Sequence, residues 1–368
     1  MNVPKLRFKE FNDEWKKIQL DSFVDINPKN DSLPEQFIYI DLESVNNGIL
    51  TTRKIINKSE APSRAQRTIK ENDILYQTVR PYQMNNLFVK NFDSDYPYIA
   101  STGYALLRTK ENPYFVYSIL YQKSFVNKVL DMCTGTSYPA ISANDLGTIT
   151  VGLPSLKEQE KISKTLELLD KKIELQSKKI EDLKLFTKNT ISNELNNLQN
   201  YNISKFKDIC NIQTGKSNTQ DKCDDGIYPF YIRSENIERS NNYIFDCEAV
   251  LTIGDGNIGK VFFYENGKFD CHQRVYVLNN FKNVLGKYVY YYFSSFFYKR
   301  AMSMSAKNTV DSVRMEMISD MIIKVPQEKE QIKMINLFSS LDKKLELEQN
   351  KLDKLQELKK GLMQNMFV

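Results

Sequence analysis

The chain has 368 residues, of which 41% are hydrophobic and 26% charged, and its formal net charge is +5. A chain of this length can form two ordinary domains, and this composition is typical of globular rather than disordered proteins. No apolar run approaches the roughly 18 residues of a membrane helix, and the amino terminus lacks the apolar stretch of a signal peptide. We therefore expect a cytoplasmic protein without a membrane contact.

The cysteine and histidine content argues against disulfide and metal chemistry. The five cysteines are scattered and form no CxxC pair, which favours reduced thiols. His272 is the only histidine, which excludes HExxH zinc sites and gives no basis for a Ser/His/Asp triad. The cysteine spacings fit no familiar zinc module, so we expect no bound metal.

Arginine and lysine are distributed unevenly. All eleven arginines lie in residues 1–150 and 201–323, whereas residues 151–200 and 324–368 contain lysine only. The planar guanidinium suits bidentate contacts with guanine edges and phosphates, while lysine suits a solvated helix face. The distribution permits nucleic-acid binding by two segments, although these arginines could equally form structural ion pairs.

Residues 1–152 have the pattern of a mixed α/β domain. Strands are expected within 37–42 and 73–79, and a short helix near 113–125. A long helix follows in residues 153–198, because Pro154 is followed by apolar residues at alternating steps of four and three. Gln176 interrupts this seam, whose apolar members are Ile162, Leu166, Leu169, Ile173, Ile180 and Leu183.

Residues 199–325 again alternate short strands and turns, at 228–237, 249–256 and 260–269, with a helix near 287–302. Two motifs resemble nucleotide-binding loops, but each lacks a feature that nucleotide binding requires. The run Ile253–Gly259 reads IGDGNIG, yet a strand follows where a dinucleotide site needs a helix, so we expect a glycine-rich hairpin loop. The run Thr214–Ser217 reads TGKS, but Cys210 occupies the position of the required first glycine.

Residues 326–368 repeat the long helix. The run that begins at Val325 aligns without a gap with the run that begins at Leu153, at an offset of 172 residues, and the block LDKK recurs. Glu348 takes the place of Gln176; it either fixes the register of the helices or marks a splayed part of them. The apolar seam recurs as Met334, Phe338, Leu341, Leu345, Leu352, Leu355, Leu362 and Met366. We expect the two helices to pair with each other rather than pack on separate domains.

The segments before the helices are related more weakly. Tyr104 and Tyr276 share the offset of 172, as do Ile141 and Val313. An internal duplication in which the helices are kept and the globular parts diverge indicates a shared scaffold with two different recognition surfaces. We find no sequence motif of an adenine methyltransferase or of a nuclease.

The order of these features resembles the specificity subunits of type I restriction–modification systems. The resemblance runs along nearly the whole chain, through residues 6–26, through GTSYPAIS at 135–142, and through 312–326, each of the last two leading into a helix that carries EQ and LDKK. It implies an α/β (α+β) fold with pseudo-two-fold duplication, in which two mixed α/β target-recognition domains, 1–152 and 199–325, are separated by two long helices, 153–198 and 326–368, that form an antiparallel coiled coil.

The resemblance also implies a function. Each recognition domain would read one half of a bipartite site in double-stranded DNA, and the helices would set the spacing and dock two modification subunits. S-adenosylmethionine, ATP and magnesium would belong to those partners and to motor-nuclease restriction subunits, leaving this chain without cofactor or catalytic site. Two other functions remain open at this point: an autonomous restriction–methylation enzyme, and a coiled-coil scaffold whose globular domains bind protein.

Residue chemistry suggests which side chains contact DNA. Arginine and amide side chains in loops can read purine edges, and small basic loops allow close approach to phosphate. In the first domain the candidates are Arg64, Arg67, Gln77, Thr78, Arg80, Tyr82 and Gln83. In the second domain they are Lys216, Ser217, Asn218, Arg233, Ser234, Asn236, Asn257, Lys260, His272, Gln273 and Arg274.

Overall fold

A computed structural model of the protein describes residues 3–29, 32–92, 94–304 and 312–368. The chain divides into two compact units. The first unit contains Met1–Gln176 together with Lys351–Val368, and the second unit contains Ser177–Asn350. Each unit therefore includes part of both long helices.

The helices of the first unit are α1 (Pro113–Ile119), α2 (Lys123–Met132), α3 (Ala143–Thr148), the first part of α4 (Leu156–Asn196) and the last part of the second long helix, α8 (Glu328–Asn365). Its strands are β1 (Lys16–Gln19), β2 (Val24–Ile26), β3 (Gln36–Ile40), β4 (Val45–Asn46), β5 (Ile49–Leu50), β6 (Lys54–Asn57), β7 (Ala65–Thr68), β8 (Ile74–Gln77), β9 (Leu87–Phe88), β10 (Tyr98–Ser101), β11 (Tyr104–Thr109) and β12 (Thr150–Leu153). They form two four-stranded sheets, ordered β6-β3-β10-β7 and β2-β11-β8-β9, and the two-stranded pairs β1-β12 and β4-β5.

The helices of the second unit are the last part of α4, α5 (Phe206–Ile209), α6 (Gly286–Ser303), α7 (Met315–Ser319) and the first part of α8. Its strands are β13 (Tyr201–Lys205), β14 (Asn211–Thr214), β15 (Tyr228–Tyr231), β16 (Ile237–Ser240), β17 (Phe245–Ile253), β18 (Phe262–Cys271), β19 (Val275–Asn279) and β20 (Ile322–Pro326). They form one six-stranded sheet, ordered β14-β19-β17-β18-β15-β16, and the pair β13-β20.

The duplication extends to the order of the strands. The row β2-β11-β8-β9 of the first unit corresponds to β14-β19-β17-β18 of the second. Both units also contain a parallel pair, β10 with β3 and β18 with β15, whose second strand continues into an antiparallel neighbour. The second unit has one sheet where the first has two. The long strand β18 pairs with β17 on one side and with β15 on the other, and so joins the two sets of strands into one sheet. The fold is thus a mixed α/β fold with internal duplication, as predicted.

A glutamine fastens each long helix to its own globular part. In the first unit the amide of Gln159 accepts a hydrogen bond from the backbone N–H of Asn112 and donates to the carbonyl of Pro154. Gln331 repeats this arrangement in the second unit, accepting from the N–H of Leu285 over 2.9 Å and donating to Pro326 over 2.9 Å. Both glutamines are buried. Each copy of the EQ motif therefore satisfies one backbone donor and one backbone acceptor that burial would otherwise leave unpaired.

The helices pack antiparallel in the first unit. Ile162 and Leu166 near the start of α4 lie in one buried cluster with Met366 and Phe367 from the end of the chain. One turn further along α4, Asp170 forms an ion pair of 2.5 Å with Lys359. Higher numbers on α4 thus meet lower numbers on α8, which confirms the antiparallel pairing.

The second unit shows the same pairing from the other helix ends. Leu195 of α4 packs in one buried cluster with Met334 and Phe338 of α8. Nearer the middle of both helices, Lys179 forms an ion pair of 2.9 Å with Glu348. Glu348 is buried in the seam, and its charge is therefore matched rather than exposed at a splayed end.

Candidate nucleic-acid interface

One turn organises the candidate residues of the first unit. Residues 101–104 connect β10 to β11, and the N–H of Thr102 donates to the carbonyl of Arg64 over 2.9 Å. Both the N–H and the hydroxyl of Thr78 donate to the carbonyl of Gly103. The segment around Arg64 and the loop that begins at Thr78 therefore meet at this turn, although they are separate in the sequence.

Gln77 and Thr78 have internal partners. The Gln77 amide donates to the carbonyl of Val79 and to Gln83 Oε1, over 2.7 and 2.8 Å, and accepts from the N–H of Asn85. Both Gln77 and Thr78 are buried. These side chains shape the loop, and their contact with DNA stays a prediction.

Arg80 is held in an uncommon conformation. Its φ and ψ are 54° and 53°, in the left-handed region that side chains other than Gly, Asn and Asp seldom adopt. Its N–H donates to the carbonyl of Pro139 over 2.7 Å, and Val79 forms a β-bridge with Ala140. The guanidinium lies 4.2 Å from the ring centre of Tyr138, a residue that sequence reasoning did not identify as a candidate.

A second turn, at residues 271–275, brings together all four candidate segments of the second unit. Ser217 forms a β-bridge with His272 and accepts a backbone hydrogen bond from Gln273 over 2.9 Å. The N–H of Gly254 donates to the carbonyl of Arg274 over 2.6 Å. The N–H of His272 donates to the carbonyl of Tyr231, which precedes the segment of Arg233, Ser234 and Asn236.

Side chains reinforce this assembly. Gln273 donates to Asn218 Oδ1 over 2.7 Å, and Arg233 approaches Asp255 to 3.3 Å. Ser217 donates to the buried carboxylate of Asp270. Glycine is required at position 215, since a Cβ there would lie 2.0 Å from the carbonyl oxygen of Cys271. The close approach at TGKS is therefore between two stretches of backbone.

His272 is buried and structural in its contacts. Burial is the main cause that lowers its pKa, and the positive charges of Arg233 and Arg274 lower the pKa further. Its Nδ1 accepts a hydrogen bond from the N–H of Arg274, which requires a lone pair on that nitrogen. The neutral imidazole thus supports the turn.

The glycine-rich run 253–259 connects β17 to β18, which are antiparallel. This confirms the predicted hairpin loop. Gly256 has a φ of 78°, and a Cβ there would meet nothing within 4 Å. Asn257 and Lys260 are exposed, and the Lys260 ammonium lies 5.7 Å from the ring centre of Tyr298.

The loops after β8 and β17 correspond structurally. Val79 forms a β-bridge with Ala140, and Asp255 forms one with Ser312, which is 172 residues after Ala140. The next backbone bonds also match, from Ile141 N–H to the Thr78 carbonyl and from Val313 N–H to the Gly254 carbonyl. The residue after each bridge, Arg80 or Gly256, has a positive φ. The two loops are unrelated in sequence, so this correspondence could only be found in the structure.

The candidates differ in accessibility. Arg67, Arg80, Ser217 and Ser234 are half-buried, and burial lowers the pKa of the Arg67 guanidinium. Gln77, Thr78 and His272 are buried. The exposed candidates are Arg64, Tyr82, Gln83, Lys216, Asn218, Arg233, Asn236, Asn257, Lys260, Gln273 and Arg274.

Other kinds of site were also sought. Within the part of the chain that the structure describes, no group of three or more His, Cys, Asp and Glu side chains is arranged to hold a metal ion. All five cysteines, each of them in a described segment, are free thiols, as predicted. Of the helices formed by described residues, none combines the length and apolarity of a membrane span.

Two curated proteins are similar to parts of the chain. The EcoDI type I restriction enzyme specificity subunit of Escherichia coli is 24% identical over 157 residues, 43% of this chain and 34% of that protein. The HindI type I restriction enzyme specificity subunit of Haemophilus influenzae is 28% identical over 139 residues, 36% of this chain and 30% of that protein. The matched segments thus span about a third of the length of these relatives.

Solved structures are similar over the whole fold. The S subunit of a type I restriction–modification system from M. genitalium has a TM-score of 0.65 at 17% identity, covering 100% of this chain and 99% of that one. A chain from a structure on complex assembly and conformational transition of the type I R-M system has a TM-score of 0.60 at 19% identity, covering 95% and 96%.

The family model of the type I restriction modification DNA specificity domain matches twice, at residues 12–185 and 199–357. Each match contains one globular part and most of the long helix that follows it. Together they cover most of the sequence, and the chain belongs to the family of type I restriction–modification DNA specificity domains.

Proposed function

We propose that this chain is the DNA-reading specificity subunit of a type I restriction–modification complex in the cytoplasm. Residues 1–152 and 199–325 act as two target-recognition domains, and each reads one half of a bipartite site in double-stranded DNA. The helices in 153–198 and 326–368 set the spacing between the half-sites and bind two modification subunits. Motor-nuclease restriction subunits then join this complex.

The observation that carries this proposal is the structural equivalence of the loops after β8 and β17. Two loops in equivalent places expose different side chains, with Tyr82 and Gln83 in one and Asn257 and Lys260 in the other. A duplicated frame with different exposed polar and basic groups suits the reading of two different sequences. The scaffold alternative gives no reason for the basic and amide character of these loops.

Salt-dependent binding tests the proposal. The purified chain, titrated with a fluorescent random duplex, should bind with an affinity that falls steeply as salt rises, because each phosphate that the protein neutralises adds about −0.9 to the slope of log K against log salt. Replacing Lys216 and Lys260 by alanine should make the slope shallower by about one for each lysine that binds a phosphate. The exposed Lys184, which lies on helix α4, is the matched control. Binding that is absent, or independent of salt, would support the protein-binding scaffold instead.

We propose that the chain itself is not catalytic and binds no cofactor. The chemistry would come from modification subunits that hold S-adenosylmethionine and from restriction subunits that use ATP and magnesium. Purified alone, the chain should neither methylate nor cleave DNA when supplied with all three. Activity that survives rigorous purification would favour the autonomous enzyme.

Exposed apolar side chains on the long helices support the docking of two copies of one partner. Leu175 and Leu347 are equivalent at the offset of 172 and are both more than half exposed, as are the equivalent Phe186 and Leu358. Covering side chains of this size with a partner removes apolar surface from water, which favours binding. Their repetition in both helices indicates two equivalent contacts, which two identical modification subunits would fill.

Paired substitutions test this docking. Leu175→Glu should remove one modification subunit from the purified complex, and Leu175→Glu with Leu347→Glu should remove both, as measured by mass in solution. Leu185 is equally exposed, but its counterpart is Glu357, so Leu185→Glu is the matched control. Unchanged stoichiometry in the double variant would exclude these positions from the docking surface.

A further inference from the structure

Arg80 differs from the arginines that support the first unit. Arg108 forms a bidentate pair with Asp73, and Arg7 forms one with Glu158, which neutralises both guanidinium groups inside the protein. For Arg80, no hydrogen bond or ion pair of the guanidinium occurs within the described residues, and its Nε is buried without a partner. Among the described residues the guanidinium is therefore close to the Tyr138 ring but has no anionic partner.

The protein nevertheless fixes the position of this side chain. The hairpin 134–140 is closed by two backbone hydrogen bonds between Thr134 and Ala140, each of 2.9 Å. The bridge from Val79 to Ala140 and the bond from Arg80 to Pro139 join this hairpin to the loop of Arg80. Tyr138, 63% exposed, is thereby brought beneath the guanidinium.

Such an arrangement suits a planar, electron-rich ligand edge rather than a carboxylate on a flexible peptide. The guanidinium is planar by its own delocalisation, and contact with an aromatic ring limits its rotation. Two of its outer N–H groups match the O6 and N7 acceptors of guanine in the major groove. The left-handed backbone at Arg80 is an additional cost, and such strain is found where a side chain must be aimed. Tyr82 and Gln83 are exposed beside it in the same loop.

We propose that Arg80 and Tyr138 together form the base-reading element of the first domain, in which Arg80 reads a guanine and Tyr138 is a positioning residue that holds the plane of the guanidinium in line with the base edge. This rests on the proposed function as a DNA reader. The second domain lacks the pair: Gly256 follows its bridge, and the residue 172 positions after Tyr138 is Val310, which lies outside the described residues. The element therefore distinguishes the two half-sites.

The test is a methylation profile of the genome in cells that carry the complete complex. Arg80→Gly is the main variant, because glycine adopts the left-handed backbone without strain. We expect its melting temperature to be no lower than that of the wild type, while one guanine in the first half-site accepts other bases and the second half-site is unchanged. Arg80→Lys, which keeps the charge but not the planar fork, should relax the same position.

Tyr138→Ala should reduce the preference at that same position by about tenfold while Tyr138→Phe, which keeps the ring, should restore it. Arg53→Ala and Tyr96→Ala are controls of the same residue types on exposed positions of the same domain. Two results for Arg80→Gly would overturn the inference: an unchanged methylation motif, or an equal loss of methylation at every sequence. Arg80 would then be a structural residue or a phosphate contact. If the wild type itself gave no bipartite motif, the proposed function would fail instead.

Discussion

The phenolic hydroxyl of Tyr291 donates a hydrogen bond of 2.6 Å to the carboxylate of Asp342. Tyr114 donates in the same way to Asp170, which lies 172 residues before Asp342 in the first copy of LDKK. Burial raises the pKa of Tyr114 and of Tyr291, and the carboxylate raises the pKa of each further, so both phenols stay protonated donors. Each globular part is thus hydrogen-bonded to the helix that follows it through an equivalent aspartate.

We expect Tyr291→Phe to lower the free energy of unfolding of the second unit by about 1.5–3 kcal/mol, because it removes a hydrogen bond to a charged group. Urea denaturation followed by circular dichroism measures this. Tyr290 is the control on the same helix, since its hydroxyl has no hydrogen bond to any described residue, and Tyr290→Phe should change stability by less than about 0.5 kcal/mol. Equal losses in both variants would mean that Asp342 contributes nothing.

Phe367, which follows α8, should stabilise the first unit. Phe367 packs on Phe115 at 5.3 Å and on Trp15 at 6.2 Å between ring centres. Trp15 is the only tryptophan, so its fluorescence reports the first unit. We expect Phe367→Ala to lower the free energy of that transition by about 3 kcal/mol, the usual cost of removing a buried phenyl ring. The neighbouring Val368 is partly exposed, and Val368→Ala should leave the transition nearly unchanged.

His272 predicts a specific pH dependence. Its pKa is lowered from 6.5 in the folded protein, so the unfolded chain binds the proton more readily. The contribution of the neutral His272 to the free energy of unfolding is therefore fully present above the pKa of histidine in the unfolded chain. This contribution falls as the pH drops below about 6.5. His272→Gln removes this titration, and its stability should fall less than that of the wild type between about pH 7.5 and 5.5. Parallel stability curves over that range would show that the histidine does not titrate as inferred.

Helix length should set the gap between half-sites. Four residues inserted after Leu183 add about 6 Å of helix, close to two base-pair rises, and turn the helix by about 40° beyond a full turn. This rotation of the protein helix does not match the rotation of the DNA duplex over two base pairs. Twist in the DNA can absorb the difference at a cost of a few kcal/mol at most. We expect the same half-sites with the unread gap lengthened by about one or two base pairs, as read from the methylated motif. The same insertion after Asn241, in an exposed turn, should leave the gap unchanged.

The long helices were predictable because their signal is local. A seam of apolar residues at steps of four and three can be recognised within one continuous stretch of sequence, and its recurrence at the offset of 172 doubled the evidence. In the structure α4 spans Leu156–Asn196 and α8 spans Glu328–Asn365. The two polar seam positions were also visible, but only the structure shows that Glu348 is buried beside Lys179.

The loops were only partly predictable. Polar chemistry singled out Gln77 and His272 as possible DNA contacts, yet their burial depends on strands that pair over long sequence distances. Tyr138 gave no signal, because it approaches Arg80 through a bridge between segments about sixty residues apart. Positive φ at Arg80 was equally hidden, since arginine is not a residue from which a left-handed backbone is expected.

The second unit is complete in the sequence before the first unit is. Domains generally fold from the amino terminus as the chain leaves the ribosome. Here the second unit is continuous, Ser177–Asn350, and has all its residues once Asn350 has emerged. The first unit begins earlier but is completed only by Lys351–Val368, among them the Met366 and Phe367 that fill its core. A chain that lacked Lys351–Val368 would keep every residue of the second unit but leave the hydrophobic core of the first unit open, a form that chaperones and proteases would recognise.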